Sequence, residues 1–157
     1  MRRRPPGRPA PLFRAAALLG LAVPAGLAAQ RPALADGTLP ATTLLYQNFP
    51  NPFPAGGRDS TCIWFDLAEG GPVTLAILDL RGGPVRRFIP GLDFGDVLGA
   101  GRYGRGGAGG PTCDPRLMWD GRADDGRVVP AGVYLYKLTA RGVIQFRRIV
   151  FRGRRFA

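Results

Sequence analysis

Three carboxylates crowd the seven-residue stretch DGRADDG: Asp120, Asp124 and Asp125. Two cysteines, Cys62 and Cys113, stand far apart. These are the side chains whose types and spacing could do chemistry. Clustered aspartates suggest calcium, but a calcium loop of the EF-hand kind needs regularly spaced oxygens and a closing glutamate. DGRADDG has neither, so it reads as a turn stabilised by its aspartates. Two cysteines fall short of the usual zinc sites, and histidine is absent. Serine occurs once, as Ser60, and lysine once, as Lys137. A serine or cysteine nucleophile needs a nearby base, most often histidine. Carboxylate chemistry needs a pair held in a cleft, and no such pair is evident. The expectation is therefore a protein that is not an enzyme and carries no metal or cofactor.

The elements around these residues must then build a binding or structural domain. The chain has 157 residues, one-domain length. Glycine (24) and proline (16) make up about a quarter of it, yet 45% of residues are apolar. That balance predicts a compact β domain with many turns.

The formal charge of +11 is unevenly distributed. Arg2, Arg3, Arg4, Arg8, Arg14 and Arg31 all precede the first acid, Asp36. The 22 basic residues less these six leave 16 against 11 acids, or +5. Much of the remainder lies in Arg147, Arg148, Arg152, Arg154 and Arg155. The body of the domain is nearly balanced, so no nucleic-acid partner is expected.

Residues 1–14 are rich in arginine and proline, and residues 15–29 (AAALLGLAVPAGLAA) are apolar and uncharged. Small residues precede two candidate cuts, near residue 28 and near residue 35. Basic head, short apolar stretch and small-residue site are the parts of a secretion signal over residues 1–35. The competing reading is a membrane anchor. About 20 apolar residues are needed to span, and this run has 15, interrupted by Pro24. No later stretch has the length to cross a bilayer, so no transmembrane span is expected after cleavage. The destination is the periplasm, the cell surface or the medium. Such places are oxidising, which makes Cys62 and Cys113 a candidate disulfide; two separate thiols are the alternative.

Residues 36–45 read as a flexible lead, and YQNFPNPFPAGG (46–57) as an irregular, turn-rich approach. Alternation predicts a strand over Thr61–Leu67, with Ile63, Phe65 and Leu67 on one face and Cys62, Trp64 and Asp66 on the other. Further strands are predicted over Val73–Leu80, Val85–Ile89, Arg116–Trp119, Val133–Ala140 and Val143–Arg152. Residues 90–115 read as one long glycine-rich loop. Within it GAGRYGRGGAGG has a faint likeness to arginine–glycine segments that bind nucleic acid, with a solvated insertion favoured. The predicted core is Ile63, Phe65, Leu75, Ile77, Val85, Trp119, Tyr134, Tyr136 and Leu138.

Three segments together carry a family resemblance: LYQNFPNPF (45–53), LDLRGGPVRRF (78–88) and WDGRADDGRVVPAGVYLYKL (119–138). In that order they resemble the immunoglobulin-like domain of the flagellar hook-capping protein FlgD. They are more similar still to the C-terminal sorting domains of type IX secretion cargo. The likeness covers about residues 44–152. It implies an all-β, immunoglobulin-like antiparallel sandwich of about seven strands over residues 46–152, followed by a basic tail at 153–157. The motif residues it points to are Asn51, Pro52, Phe53, Trp119, Asp120, Gly121, Asp124, Gly126, Pro130, Gly132, Tyr134 and Tyr136.

Each of these has a structural task. Trp119 can plug one end of the sandwich; Gly121 and Gly126 supply turn conformations. Asp120 and Asp124 can accept backbone N–H groups. Pro130 fixes φ before the last hairpin, and Tyr134 and Tyr136 share a strand face. The alternation of FRRIVFRGRR fits an edge strand whose charges discourage pairing, or a docking signal in which Arg147, Arg148 and Arg152 take part. The expected function is an exported interaction module, a sorting or surface-attachment domain whose partner is a protein of the secretion or cell-surface machinery. A free-standing structural assembly module like the hook-capping domain is the alternative, and a nucleic-acid binder a weaker one.

Overall fold

The computed structural model describes residues 38–105 and 112–154. The expected secretion signal (1–35), the first part of the lead, residues 106–111 of the glycine-rich segment and residues 155–157 of the tail lie outside the described residues.

Within the described residues the chain forms ten antiparallel-paired strands and one short 3-10 turn. The largest sheet has five strands. Its order is β10 (Val143–Phe151), β9 (Gly132–Ala140), β4 (Gly71–Leu78) and β5 (Pro84–Ile89), with β6 (Val97–Leu98) pairing the start of β4. A three-stranded sheet joins β1 (Leu44–Leu45), β3 (Phe65–Leu67) and β7 (Gly101–Tyr103). A third sheet pairs β2 (Thr61–Cys62) with β8 (Met118–Trp119). The sheets enclose one apolar core, making an all-β antiparallel sandwich.

The core follows from period-two alternation. Val73, Leu75 and Ile77 of β4 lie opposite Ala140, Leu138 and Tyr136 of β9, and all six are buried. Tyr134 of β9 faces Ile149 of β10 in turn. The smaller sheets contribute Leu45, Phe65 and Leu67. Eight of the nine predicted core residues are buried, and Val85 packs half-buried against them. The β9–β10 hairpin closes on Arg141 and Gly142, both at positive φ (40° and 79°), the backbone that suits a two-residue hairpin loop.

Several strand assignments need correction. Thr61–Leu67 is two strands, not one. The ladder breaks at Ile63 and Trp64, where Ile63 N–H donates to Leu117 C=O at 2.9 Å. The chain crosses there from the β2–β8 sheet to the β1–β3–β7 sheet, so both of its faces are covered. Asp66, on the face opposite Phe65 and Leu67, is only 6% exposed. Tyr46 Oη donates to its Oδ2 at 2.8 Å, and Arg102 and Arg105 approach at 4.0 and 3.8 Å.

Residues 90–115 are likewise not a single loop, because β6 and β7 add to two sheets and Phe94 is buried. The 38–45 part of the lead is built in, with Leu45 fully buried and Thr43 Oγ1 accepting from Ala68 N–H. β4 stops at Leu78 because Asp79 Oδ1 accepts the N–H groups of Arg81 and Gly83 and turns the chain. The fourth predicted strand shrinks to Met118–Trp119. Asp114 caps a 3-10 turn over Pro115–Leu117 ahead of it.

Candidate docking site

The five-stranded sheet has an open edge at β10, and the first family-like segment lies along it. Phe53 N–H donates to Val150 C=O at 2.9 Å, and Arg152 N–H returns to Phe53 C=O at 2.7 Å. Asn51 fills the next position with its side chain: Oδ1 accepts Val150 N–H at 2.9 Å and Nδ2 donates to Arg148 C=O at 2.9 Å. Gln47 Nε2 donates to the same carbonyl. An edge strand offers unpaired backbone groups to any passing strand. Here side-chain amides satisfy Arg148 C=O and Val150 N–H at one end of that edge.

Phe53 also anchors the segment in the core. Its ring meets Trp119 edge-on at 5.4 Å and Phe151 at 5.0 Å, and Trp119 meets Tyr134 at 5.2 Å. Trp119 Nε1 donates to Arg122 C=O at 2.8 Å, satisfying the one polar atom of a side chain that is 1% exposed. A buried polar knot completes the anchor. Asn48 Nδ2 donates to Thr61 Oγ1 at 2.7 Å, and Thr61 Oγ1 donates to Pro50 C=O at 2.7 Å. Pro52 rides between Asn51 and Phe53, half-buried. Nothing local in the sequence signals these contacts of Asn48, Gln47 and Thr61, because their partners lie in distant or irregular backbone.

The three aspartates of DGRADDG point to three different partners. Asp120 accepts Arg122 N–H and pairs with Arg122 and Arg154, so it ties the turn to the start of the tail. Asp124 reaches β5: its N–H donates to Val85 C=O and its Oδ1 accepts Arg87 N–H, each at 3.0 Å. It thereby covers part of the opposite edge of the large sheet. Asp125 accepts from Arg127, whose backbone and guanidinium N–H groups hold its carboxyl below the ordinary range. Arg116 does the same to Asp114 through a side-chain hydrogen bond. Among the described residues, no group of three or more metal-ligating side chains converges.

The motif glycines serve the same turn. Gly121 has φ +79°, and a Cβ there would enter the Phe151 ring. Gly126 has φ +82° in open surroundings. Gly132 opens β9 opposite Phe151. Pro130 C=O accepts from Tyr134 Oη at 2.7 Å. Cys62 and Cys113 are joined in a disulfide, Cα to Cα 5.7 Å, which pins the far end of the glycine-rich segment to β2.

Alternation divides the candidate docking arginines. Arg147 shares the inner face of β10 with Gln145, Ile149 and Phe151, is half-buried, and lies opposite Tyr136. Arg147 therefore lies on the opposite face of β10 from Arg148 and Arg152. Arg148 and Arg152 do face outward and are exposed. Between and beyond them the same face carries Ile144, Phe146 and Val150, with Ile144 and Phe146 56% and 46% exposed. Neighbouring β9 adds Leu135 and Lys137, the ammonium of Lys137 lying 5.6 Å from the Phe146 ring. The outward positions of β10, β9 and β4 include no acid. The face is thus a basic and apolar strip.

The arginines of GAGRYGRGGAGG that fall in the described residues are committed to the domain. Arg102 donates to Thr38 C=O, Arg105 lies 4.9 Å over the Tyr46 ring, and Tyr103 stacks on Phe65 at 5.0 Å. No described helix is long and apolar enough to cross a membrane. Compared with known proteins, the chain matches no family model and no curated protein.

Proposed function

We propose that this domain is an exported, non-catalytic interaction module of the kind its motifs resemble, a sorting or cell-surface attachment domain like those of type IX secretion cargo. One observation carries the reading: the outward face of β10 and β9 presents Phe146, Ile144, Arg148, Arg152 and Lys137 with no acid among them. Exposed apolar groups rimmed by one sign of charge mark surfaces that meet a partner. The immunoglobulin-like assignment, the secretion signal and a protein partner in the secretion or cell-surface machinery belong to the same proposal.

Recognition would be by the face of the sheet rather than by strand addition. Asn51 and Phe53 cover the Arg148–Arg152 end of one edge and Asp124 part of the other, which leaves less backbone for a partner strand to pair with. The same edges weigh against self-assembly by strand pairing, and so against the hook-capping alternative in that form. The test is the intact mass of the protein recovered from each cell fraction. Export predicts loss of about 28–35 residues and recovery outside the cytoplasm. A full-length mass confined to the cytoplasm would overturn the proposal.

A further inference from the structure

A cleft opens where the Pro54–Asp59 loop faces the end of β10. Two adjoining hollows, about 570 and 450 Å³, share Ala55, Gly56, Arg58 and Arg152. That size suits a small ligand. The loop tip is a two-residue turn. Ala55 and Arg58 exchange backbone hydrogen bonds at 3.1 and 3.0 Å, and Gly56 and Gly57 take φ of +58° and +74°. No atom lies within 4 Å of where a Cβ on either glycine would sit, so the tip leaves the cleft open.

Among the described residues, the charges in this cleft are not balanced. Three guanidiniums line it, from Arg58, Arg152 and Arg154, against one carboxylate, Asp59. Arg154 is paired with Asp120 at 2.9 Å. Among the described residues, neither Arg58 nor Arg152 makes an ion pair or a side-chain hydrogen bond to a carboxylate. Arg58 instead lies 5.6 Å from the ring of Phe49, which is 56% exposed at the cleft's rim. That contact uses the face of the guanidinium and leaves its N–H groups without a carboxylate partner among the described residues. Arg152 is fixed at its backbone, where its N–H donates to Phe53 C=O. Two guanidiniums that share one hollow, neither paired with a carboxylate among the described residues, match an oxyanion, which a guanidinium can grip through paired N–H groups.

We infer that this cleft is a binding site for an anionic ligand carrying a carboxylate or phosphate group, held between Arg58 and Arg152. The site needs only the folded domain and does not depend on the export reading. Carboxylate and phosphate share the chemistry; the source is a free anion or an anionic sugar whose ring would lie against Phe49.

The experiment is a two-dimensional amide NMR titration of the full chain with inorganic phosphate and, separately, with glucuronate, at constant ionic strength. The amides of Gly56, Gly57 and Gly153 should shift and saturate. In Arg58→Gln and in Arg152→Gln the midpoint should rise by about tenfold or more. Arg81→Gln, which removes one charge from an exposed turn elsewhere, should leave it unchanged. The spectra report directly whether each variant is folded. Tighter binding of glucuronate assigns an anionic sugar, and equal or tighter binding of phosphate assigns a free anion. Shifts that never saturate with either anion would overturn the inference, as would one midpoint common to all three variants.

Discussion

The phenol of Tyr136 joins two parts of the chain that are 88 residues apart: its oxygen accepts the backbone N–H of Asn48 at 2.8 Å. The same hydroxyl donates to the Tyr46 carbonyl. Tyr136 belongs to the VYLYKL strand and Asn48 to the LYQNFPNPF segment. The hydroxyl therefore fixes the segment that covers the open edge of β10. Tyr136→Phe should cost about 1–3 kcal/mol, because it strands a buried N–H without a partner. Urea unfolding of the two proteins measures it. A change below about 0.5 kcal/mol would mean the segment is held by Phe53 and Asn51 alone.

The same group sets an alkaline limit. Burial pushes the phenol of Tyr136 far above its ordinary value, and those of Tyr134 and Tyr103 are raised by burial as well. Folding thus favours the neutral phenol. That stability is fully present below the unfolded value of about 10 and falls as pH rises beyond it. Unfolding free energy should be insensitive to these phenols between about pH 8 and 9 and decline above about 10. In Tyr136→Phe the decline should be shallower. Equal slopes in both proteins would remove Tyr136 from this role.

Gly121 and Gly126 have nearly the same φ but different surroundings. A Cβ at Gly121 meets the Phe151 ring, whereas one at Gly126 meets nothing within 4 Å. Gly126→Ala should cost about 1–2 kcal/mol, from left-handed backbone alone. Gly121→Ala should cost about 2–4 kcal/mol, since overpacking adds to it. Thermal unfolding of both variants tests the order, and equal losses would contradict the contact with Phe151.

Much of this fold was legible in the sequence where strands are long. β9 and β10 have nine residues each, and their alternation named Tyr134, Tyr136 and Leu138 as core. Strands of two or three residues carry no period. β6, β7 and the break at Ile63–Trp64 were therefore hidden inside a glycine-rich segment and an apparently continuous strand. The motif residues were legible as types but not as contacts. Asn51 works on backbone groups nearly a hundred positions away, and no local pattern encodes that. The candidate docking arginines show the sharpest limit. A run of RR places one side chain on each face, and only the burial of Ile149 and Phe151 fixes which one faces in.

The disulfide closes a loop of 51 residues. On the chain-entropy account such a loop contributes about 4 kcal/mol, and native-state relaxation commonly lowers the observed value to about 2–4. Replacing Cys62 and Cys113 together by alanine should lower stability by that amount, read by urea unfolding of both proteins without reductant. Added reductant should reproduce the loss in the native chain and do nothing to the variant. A loss under about 1 kcal/mol would show that β2, β8 and the glycine-rich segment hold together without the bond.

The central claim is that the outward face of β10 and β9 meets a partner, and one comparison tests it most directly. The native chain and a Phe146→Ser/Arg148→Glu variant would be expressed in the source cells and fractionated, with thermal unfolding of each purified protein alongside. Both substituted side chains face outward, so unfolding temperatures should agree within a few degrees, as surface changes usually allow. The account predicts that the native protein reaches the cell surface or medium while the folded variant accumulates in the periplasm. Equal distribution of two equally stable proteins would contradict it.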